Sequence, residues 1–469
     1  MMPRDDRTVR LPRAERKARG RAFRDRLALQ EHAVVAASER DPVEVLERQG
    51  ASRIPELLAI RHARMASSPF AFYRGAAAIM AEDLRQLPDS GTTTQLCGDA
   101  HLDNVGFYAS PERALIGDLN DFDETAPGPF EWDLKRMATS FEIAGRAGAL
   151  DEDVRHRVLE ELVRAYASAM RTASRTPAIE LFTGRLDVAD LLADLEEELP
   201  RKVSRRAASA VAAMLRRDSR SAARQLAVRD DDGLRFRSDP PLLVPVHRMV
   251  EQGRITAGDA QERLDEVRRR YRESLAPERR RLLDRYRLAD AAVKVVGVGS
   301  VGLRAWVLLF EGDVKRDLLV LQAKEAERSV LEPAGRAGAY AHQGERVVRG
   351  QRTLQALSDV LLGWTSGADP QGRQREFSVR QFRDWKGGVD VERLGPETMP
   401  AYARYCGLVL ARAHARGGDP AVLTGYIGAG RTLSAALAAF ATAYADRNAA
   451  DHAALLAAIA AGRVEASAS

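Results

Sequence analysis

The stretch Cys97-Gly98-Asp99-Ala100-His101-Leu102-Asp103-Asn104, followed by Leu115-Ile116-Gly117-Asp118-Leu119-Asn120-Asp121-Phe122-Asp123, decides how this chain is read. It places an Asp and an Asn five residues apart, then an apolar run that ends in further carboxylates. Phosphoryl transfer uses such a set: one carboxylate orients a hydroxyl, while an Asn and another Asp hold magnesium. Asp99 is the candidate catalytic base. Asn104 and Asp121 are the candidate metal ligands, with Asp118 and Asp123 competing for the same ion. His101 joins Asp99 in the candidate catalytic loop, where it is expected to order the loop by hydrogen bonding. No second His or Cys stands at zinc spacing. The plainer alternative for Asp99 and for Asn120-Asp121 is a turn closed by side-chain to backbone bonds.

A second segment, far downstream, has the features of a nucleotide site. Val295-Val296-Gly297-Val298-Gly299-Ser300-Val301-Gly302 fits G-x-G-x-x-G. A dinucleotide fingerprint runs strand, glycines, helix. Here the glycines precede Arg304-Ala305-Trp306-Val307-Leu308-Leu309-Phe310, which reads as a strand. A glycine loop between antiparallel strands is the kinase arrangement, in which bare backbone covers the phosphates. An ordinary glycine-rich hairpin is the alternative. Leu319-Val320-Leu321-Gln322-Ala323-Lys324 then forms an apolar strand ending in a Lys, 22 residues past Gly302. Lys324 is the candidate phosphate ligand, and Glu345, early in a helix expected over 340–362, is its candidate partner. The nucleotide set is therefore Gly297, Gly299, Ser300, Gly302, Lys324 and Glu345, serving ATP with Mg²⁺.

The remaining composition narrows the setting. The chain has 469 residues, 45% hydrophobic and 30% charged, with net charge +5. That length supports several domains and a sizeable core. Two Cys in so long a chain read as reduced thiols, Cys97 as a buried one. The first residues mix Arg with Asp and Glu and lack an apolar core, so no secretory leader is expected. No uncharged apolar run of membrane-spanning length occurs. A cytoplasmic protein with no membrane partner is expected; oligomeric state is not legible. Residues 201–229 hold nine Lys or Arg against one Asp. They lack interleaved aromatics, so a solvated helix face is favoured over nucleic-acid binding.

Gly98-Asp99-Ala100-His101-Leu102-Asp103-Asn104 resembles the G-D-x-H-x-x-N loop of the aminoglycoside and choline kinase group. Asp121-Phe122-Asp123 and Trp132-Asp133-Leu134 resemble that group's magnesium-Asp strand and a later structural Asp. Cys97 departs from the pattern, because those enzymes usually carry His there, and the gap from Asn104 to the Asp run is longer. By that analogy His101 points to a small hydroxylated substrate. Ser68-Pro69-Phe70-Ala71-Phe72-Tyr73-Arg74-Gly75, Asn120-Asp121-Phe122-Asp123-Glu124 and Arg383-Asp384-Trp385-Lys386-Gly387, taken with the two motifs above, resemble an uncharacterised bacterial family numbered 2252 among the domains of unknown function. That resemblance implies relatives without supplying a substrate.

The order of the two halves is reversed relative to ordinary kinases, in which the glycine loop comes first. His414-Ala415-Arg416-Gly417-Gly418-Asp419 cannot serve as a later catalytic loop, because Thr424 stands where Asn is needed. The expectation is an α+β, protein-kinase-like, circularly permuted fold. It divides into a peripheral helical arm at 1–60, a mostly helical catalytic lobe at 61–290, a small antiparallel-sheet nucleotide lobe at 291–390, and helices at 391–469 that return to the catalytic lobe. The expected function is ATP- and Mg-dependent phosphotransfer to a small hydroxylated molecule. The alternatives are a non-catalytic nucleotide-binding regulator and an Arg-rich nucleic-acid-binding protein.

Overall fold

Short strands interrupt the helical part of the chain, and helices interrupt the strand-rich part. The computed structural model describes residues 10–467, apart from 38, 199, 217–218, 232, 254, 295–300, 315–316, 333–337, 370–371 and 383–384. The result is an α+β architecture with a large helical body and a six-stranded antiparallel sheet. Four long helices dominate the body: Glu131–Ala147, Glu152–Ala173, Thr398–Gly417 and Arg431–Ala460. Each buries an apolar stripe, and Phe141, Val163, Tyr166, Leu410 and Leu437 meet in one core. Thr398–Gly417 and Glu152–Ala173 touch backbone to backbone: a Cβ at Gly407 would stand 2.3 Å from the Leu162 carbonyl oxygen. Among the described residues no helix is long and apolar enough to cross a membrane.

The sheet runs in spatial order Gly363–Ala368, Gln374–Gln381, Leu318–Glu325, Ala305–Gly312, Tyr286–Lys294, Leu243–Pro245. Lys324 pairs in register with Ala305 on one side and Ser378 on the other. The period of two therefore sends Gln322, Lys324, Ser378 and Arg380 to one face. The helix Gln343–Leu354 packs on the sheet beside them.

Three boundaries differ from the sequence reading. The sheet begins before residue 291, since Leu243–Pro245 and Tyr286–Lys294 already belong to it. The helix Ala257–Ser274 also packs on Gly363–Ala368, so residues given to the helical lobe support the sheet. The helix expected over 340–362 stops at Leu354, and Gly363–Ala368 is a strand that the sequence reading did not find. The N-terminal arm is not peripheral. Helix Arg13–Ala22 lies against Pro420–Ile427, where a Cβ on Gly20 would meet the Val422 carbonyl oxygen at 2.0 Å. Arg16 pairs with Asp419 at 2.6 Å, and buried His32 meets the Tyr426 hydroxyl at 2.7 Å.

Candidate functional site

Asp99 sits just past the short strand Thr94–Leu96. Gly98 turns the chain with φ +91°, and a Cβ there would collide with the Glu124 carbonyl oxygen at 2.0 Å. Only glycine fits that approach. The loop is clamped from below by Asp133, which accepts from the backbone N–H groups of Cys97 at 2.7 Å and Gly98 at 2.9 Å. His414 supports the same carboxylate at 3.1 Å. Asp133 is thus a loop clamp. Asp99 Oδ1 receives Arg136 Nε at 2.6 Å, while Oδ2 stands 3.9 Å from His101 Nε2.

Asn104 ties this loop to the next. Its Nδ2 donates to the Asp99 carbonyl at 3.1 Å and the Asp121 carbonyl at 3.0 Å. Its Oδ1 accepts from the N–H groups of Asn120 at 3.2 Å and Asp121 at 2.6 Å. The Asn120 N–H also reaches the Asn104 backbone carbonyl, at 2.9 Å. Asn104 thus clamps the two loops together. Asp118 is removed from the contest for the metal. It is buried beneath the strand, accepting from the backbone of Leu119 and Ala356. Asp121 and Asp123 remain.

The two halves of the sequence meet at these carboxylates. Lys324 Nζ lies 3.3 Å from Asp121 Oδ2 and forms a second ion pair with Asp123. Arg380 donates to the Asn120 carbonyl at 3.0 Å, and Lys386 brings another positive charge within reach of Asp121. Burial opposes ionisation of Asp121, but Lys324, then Arg380 and Lys386, outweigh it and hold the carboxyl below the usual range. Asp123 moves upward, through burial and then the neighbouring Asp121 charge. Burial disfavours the Lys324 ammonium, yet the two carboxylates keep it charged to higher pH than usual. The Asp121 side chain is still 47% exposed, so a ligand can reach it. A cavity of about 140 Å³ opens beside this cluster, bordered by Tyr108, Gln355, Asp359, Arg380 and Lys386.

Other expected site residues fall differently. Glu345 does not meet Lys324; its carboxylate takes Arg349 at 2.6 Å. The helix reaches the site through the next residue instead. Buried Arg346 donates to the carbonyls of Thr125 at 2.6 Å and of Asp123 and Glu327 at 2.7 Å. His101 was expected to order its loop by hydrogen bonding, but its backbone does so: its N–H reaches the Asp99 carbonyl at 2.9 Å, and its own carbonyl receives Asn104 at 2.8 Å. The ring Nδ1 is buried without a partner among the described residues, and burial lowers the ring's pKa. Gly297, Gly299 and Ser300 lie outside the described residues. Gly302, φ +91°, lies on the side chain of Arg53 and accepts from the Ile54 N–H at 2.8 Å. Arg53 Nη1 donates to the Val301 carbonyl at 2.5 Å, and its charge is felt by Glu124 and Asp123. The flanking strands Tyr286–Lys294 and Ala305–Gly312 are antiparallel neighbours.

Sequence reasoning missed Arg53, Arg136, Arg346 and Arg380. Arg380 alone carried a signal, standing two residues from Ser378 on the strand face that opposes Lys324. Arg74 pairs with Asp103 at 2.9 Å. Trp385 lies under the Arg113 guanidinium at 4.2 Å.

Fold and site define an α+β protein in which a basic sheet face closes on a pair of carboxylate-bearing loops. Residues 53–458 match the family described as an uncharacterised protein conserved in bacteria (DUF2252), and the chain belongs to that family. No curated protein and no solved structure matches the chain.

Proposed function

We propose that this chain is an ATP- and Mg²⁺-dependent phosphotransferase with a circularly permuted, kinase-like arrangement of its two halves. The observation that carries this reading is the contact of Lys324 with Asp121 and Asp123, residues about 200 positions apart in sequence. A surface Lys and a turn Asp have no reason to converge in this way. Two cations, Lys324 and Arg380, suit a polyphosphate, and Lys386, whose pKa burial and then Arg380 lower to about 7, adds positive charge when protonated. Two carboxylates suit magnesium, which keeps several waters and needs few protein ligands.

In this reading Lys324 exchanges its carboxylate partners for phosphate oxygens when nucleotide enters. Asp121 and Asp123 are thereby released to hold the metal, which would supply charge neutralisation on the phosphate oxygens. Arg136 fixes one oxygen of Asp99, so the other faces the incoming hydroxyl. Asp99 takes the hydroxyl proton as the acceptor oxygen bonds to the terminal phosphorus. The bond from that phosphorus to the bridging oxygen breaks, and ADP departs.

Mg-ADP titrated into the full chain by calorimetry tests the nucleotide half. Binding that Lys324→Ala weakens at least about tenfold, or about 1.4 kcal/mol, is the expected result. Equal affinity in wild type and variant, or no binding in either, removes the proposal.

A further inference from the structure

A second opening borders the Asp99 loop. A groove of about 670 Å³ lies between the helices Leu58–Ala66 and Pro69–Gly75 and the segment 389–392. That volume suits a small molecule. Arg64, Phe70, Arg74 and Asp103 line it, and exposed Glu392 stands at its rim. Its negative groups are mostly matched. Asp103 is held by Arg74 Nη1 at 2.9 Å, and Asp390 by Arg393 at 2.9 Å. Its positive groups are matched only in part, since Arg74 is paired through Nη1 alone among the described residues. Arg74 Nε is buried with no partner, and Arg64 makes no ion pair or side-chain hydrogen bond among the described residues. Glu392 faces solvent, where water and salt screen it.

His101 belongs to the same loop as Asp103, which lines the groove, and its Nε2 stands 3.9 Å from Asp99 Oδ2. The residue is 8% exposed and its Nδ1 has no partner among the described residues. Its ring senses Asp99 and Arg136 as well as Arg74 and Asp103. A buried polar atom left unpaired in a folded protein costs free energy, and a ligand that pairs with it recovers that cost.

We propose that the groove binds the phosphoryl acceptor and that this acceptor is a small hydroxylated anion, a polyhydroxy carboxylate or a phosphomonoester. The inference rests on the phosphotransferase reading above. The anionic group meets Arg64 and Arg74, whose planar forks match carboxylate and phosphate oxygens. Asp103 holds the Arg74 fork in place. Phe70 covers the carbon skeleton, and the reacting hydroxyl meets His101 Nδ1 and Asp99 Oδ2.

The test is direct binding to the full chain, by calorimetry or ligand-observed NMR, without nucleotide. Gluconate and glycerol 3-phosphate are the anionic probes; glucose and glycerol are their neutral counterparts. The anions are expected to bind at least about tenfold more tightly than the neutral compounds. Arg64→Ala should remove at least about tenfold of that affinity, and Arg64→Lys should restore part of it. Mg-ADP affinity in the same variants reports the integrity of the fold. Neutral probes binding as tightly as anions, no anion binding at millimolar concentration, or an unchanged Arg64→Ala overturns the proposal. A wild-type chain that binds Mg-ADP but none of the anions overturns the groove proposal and leaves the phosphotransferase reading standing. Anion binding in a protein that never binds Mg-ADP overturns the acceptor role together with the phosphotransferase reading.

Discussion

Asp99 is held by a guanidinium on one oxygen and left open on the other, so its contribution can be isolated. In Asp99→Asn the side-chain oxygen still accepts from Arg136, but the group can no longer take a proton. Turnover should fall by about 10²–10⁴ while Mg-ADP affinity holds; a variant with intact turnover removes the base. Glu124 offers a second residue-level test. Burial raises its carboxyl from 4.5 to about 7, although its Oε2 accepts from the Val330 N–H at 2.7 Å. Between those two values the folded chain holds a proton that the unfolded chain has released. Stability from this group is therefore complete below 4.5 and declines as pH rises through about 7. The slope is at most about 1.4 kcal/mol per pH unit. Urea midpoints measured at pH 5 and pH 7 should differ less in Glu124→Gln than in the wild type.

Helix contacts in the body depend on missing side chains more than on large ones. Gly407 lets Thr398–Gly417 approach Glu152–Ala173 until backbone meets backbone. Even Gly407→Ala inserts a methyl group into the Leu162 carbonyl, and should cost about 1–3 kcal/mol in urea unfolding. The same element scale explains two misread residues. A Lys held by a Glu on the following helix is one way to tie that helix to the site, and it led to Glu345. The helix instead donates Arg346 to the loop carbonyls, a bond made by backbone oxygens that leave no mark in the sequence. Asn104 was legible as important, but its partners are also backbone groups, so its role was not.

Across the whole molecule the N-terminal residues are structural. Leu27, Leu29 and His32 are buried, Arg24 donates to the Tyr426 carbonyl at 2.7 Å, and Arg53 carries Gly302. Deleting residues 1–33 removes the contacts of Leu27, Leu29, His32 and Arg24 and should lower the thermal midpoint by several degrees, as followed by circular dichroism. An unchanged midpoint would return this segment to the peripheral arm that its charge pattern suggested.

Local chemistry in the sequence determined the glycine turn before Asp99, the apolar strand ending in Lys324, the carboxylates of the 121–123 loop, and the main helices. These follow from periodicity, backbone freedom and residue type, which are local properties. Tertiary structure decided which charges face one another. It chose Asp121 and Asp123 over Asp118, gave Lys324 these partners in place of Glu345, and brought Arg53, Arg136 and Arg380 to the two loops. Those choices depend on contacts between segments distant in the chain, and a side chain's partner across such a distance is set by packing alone.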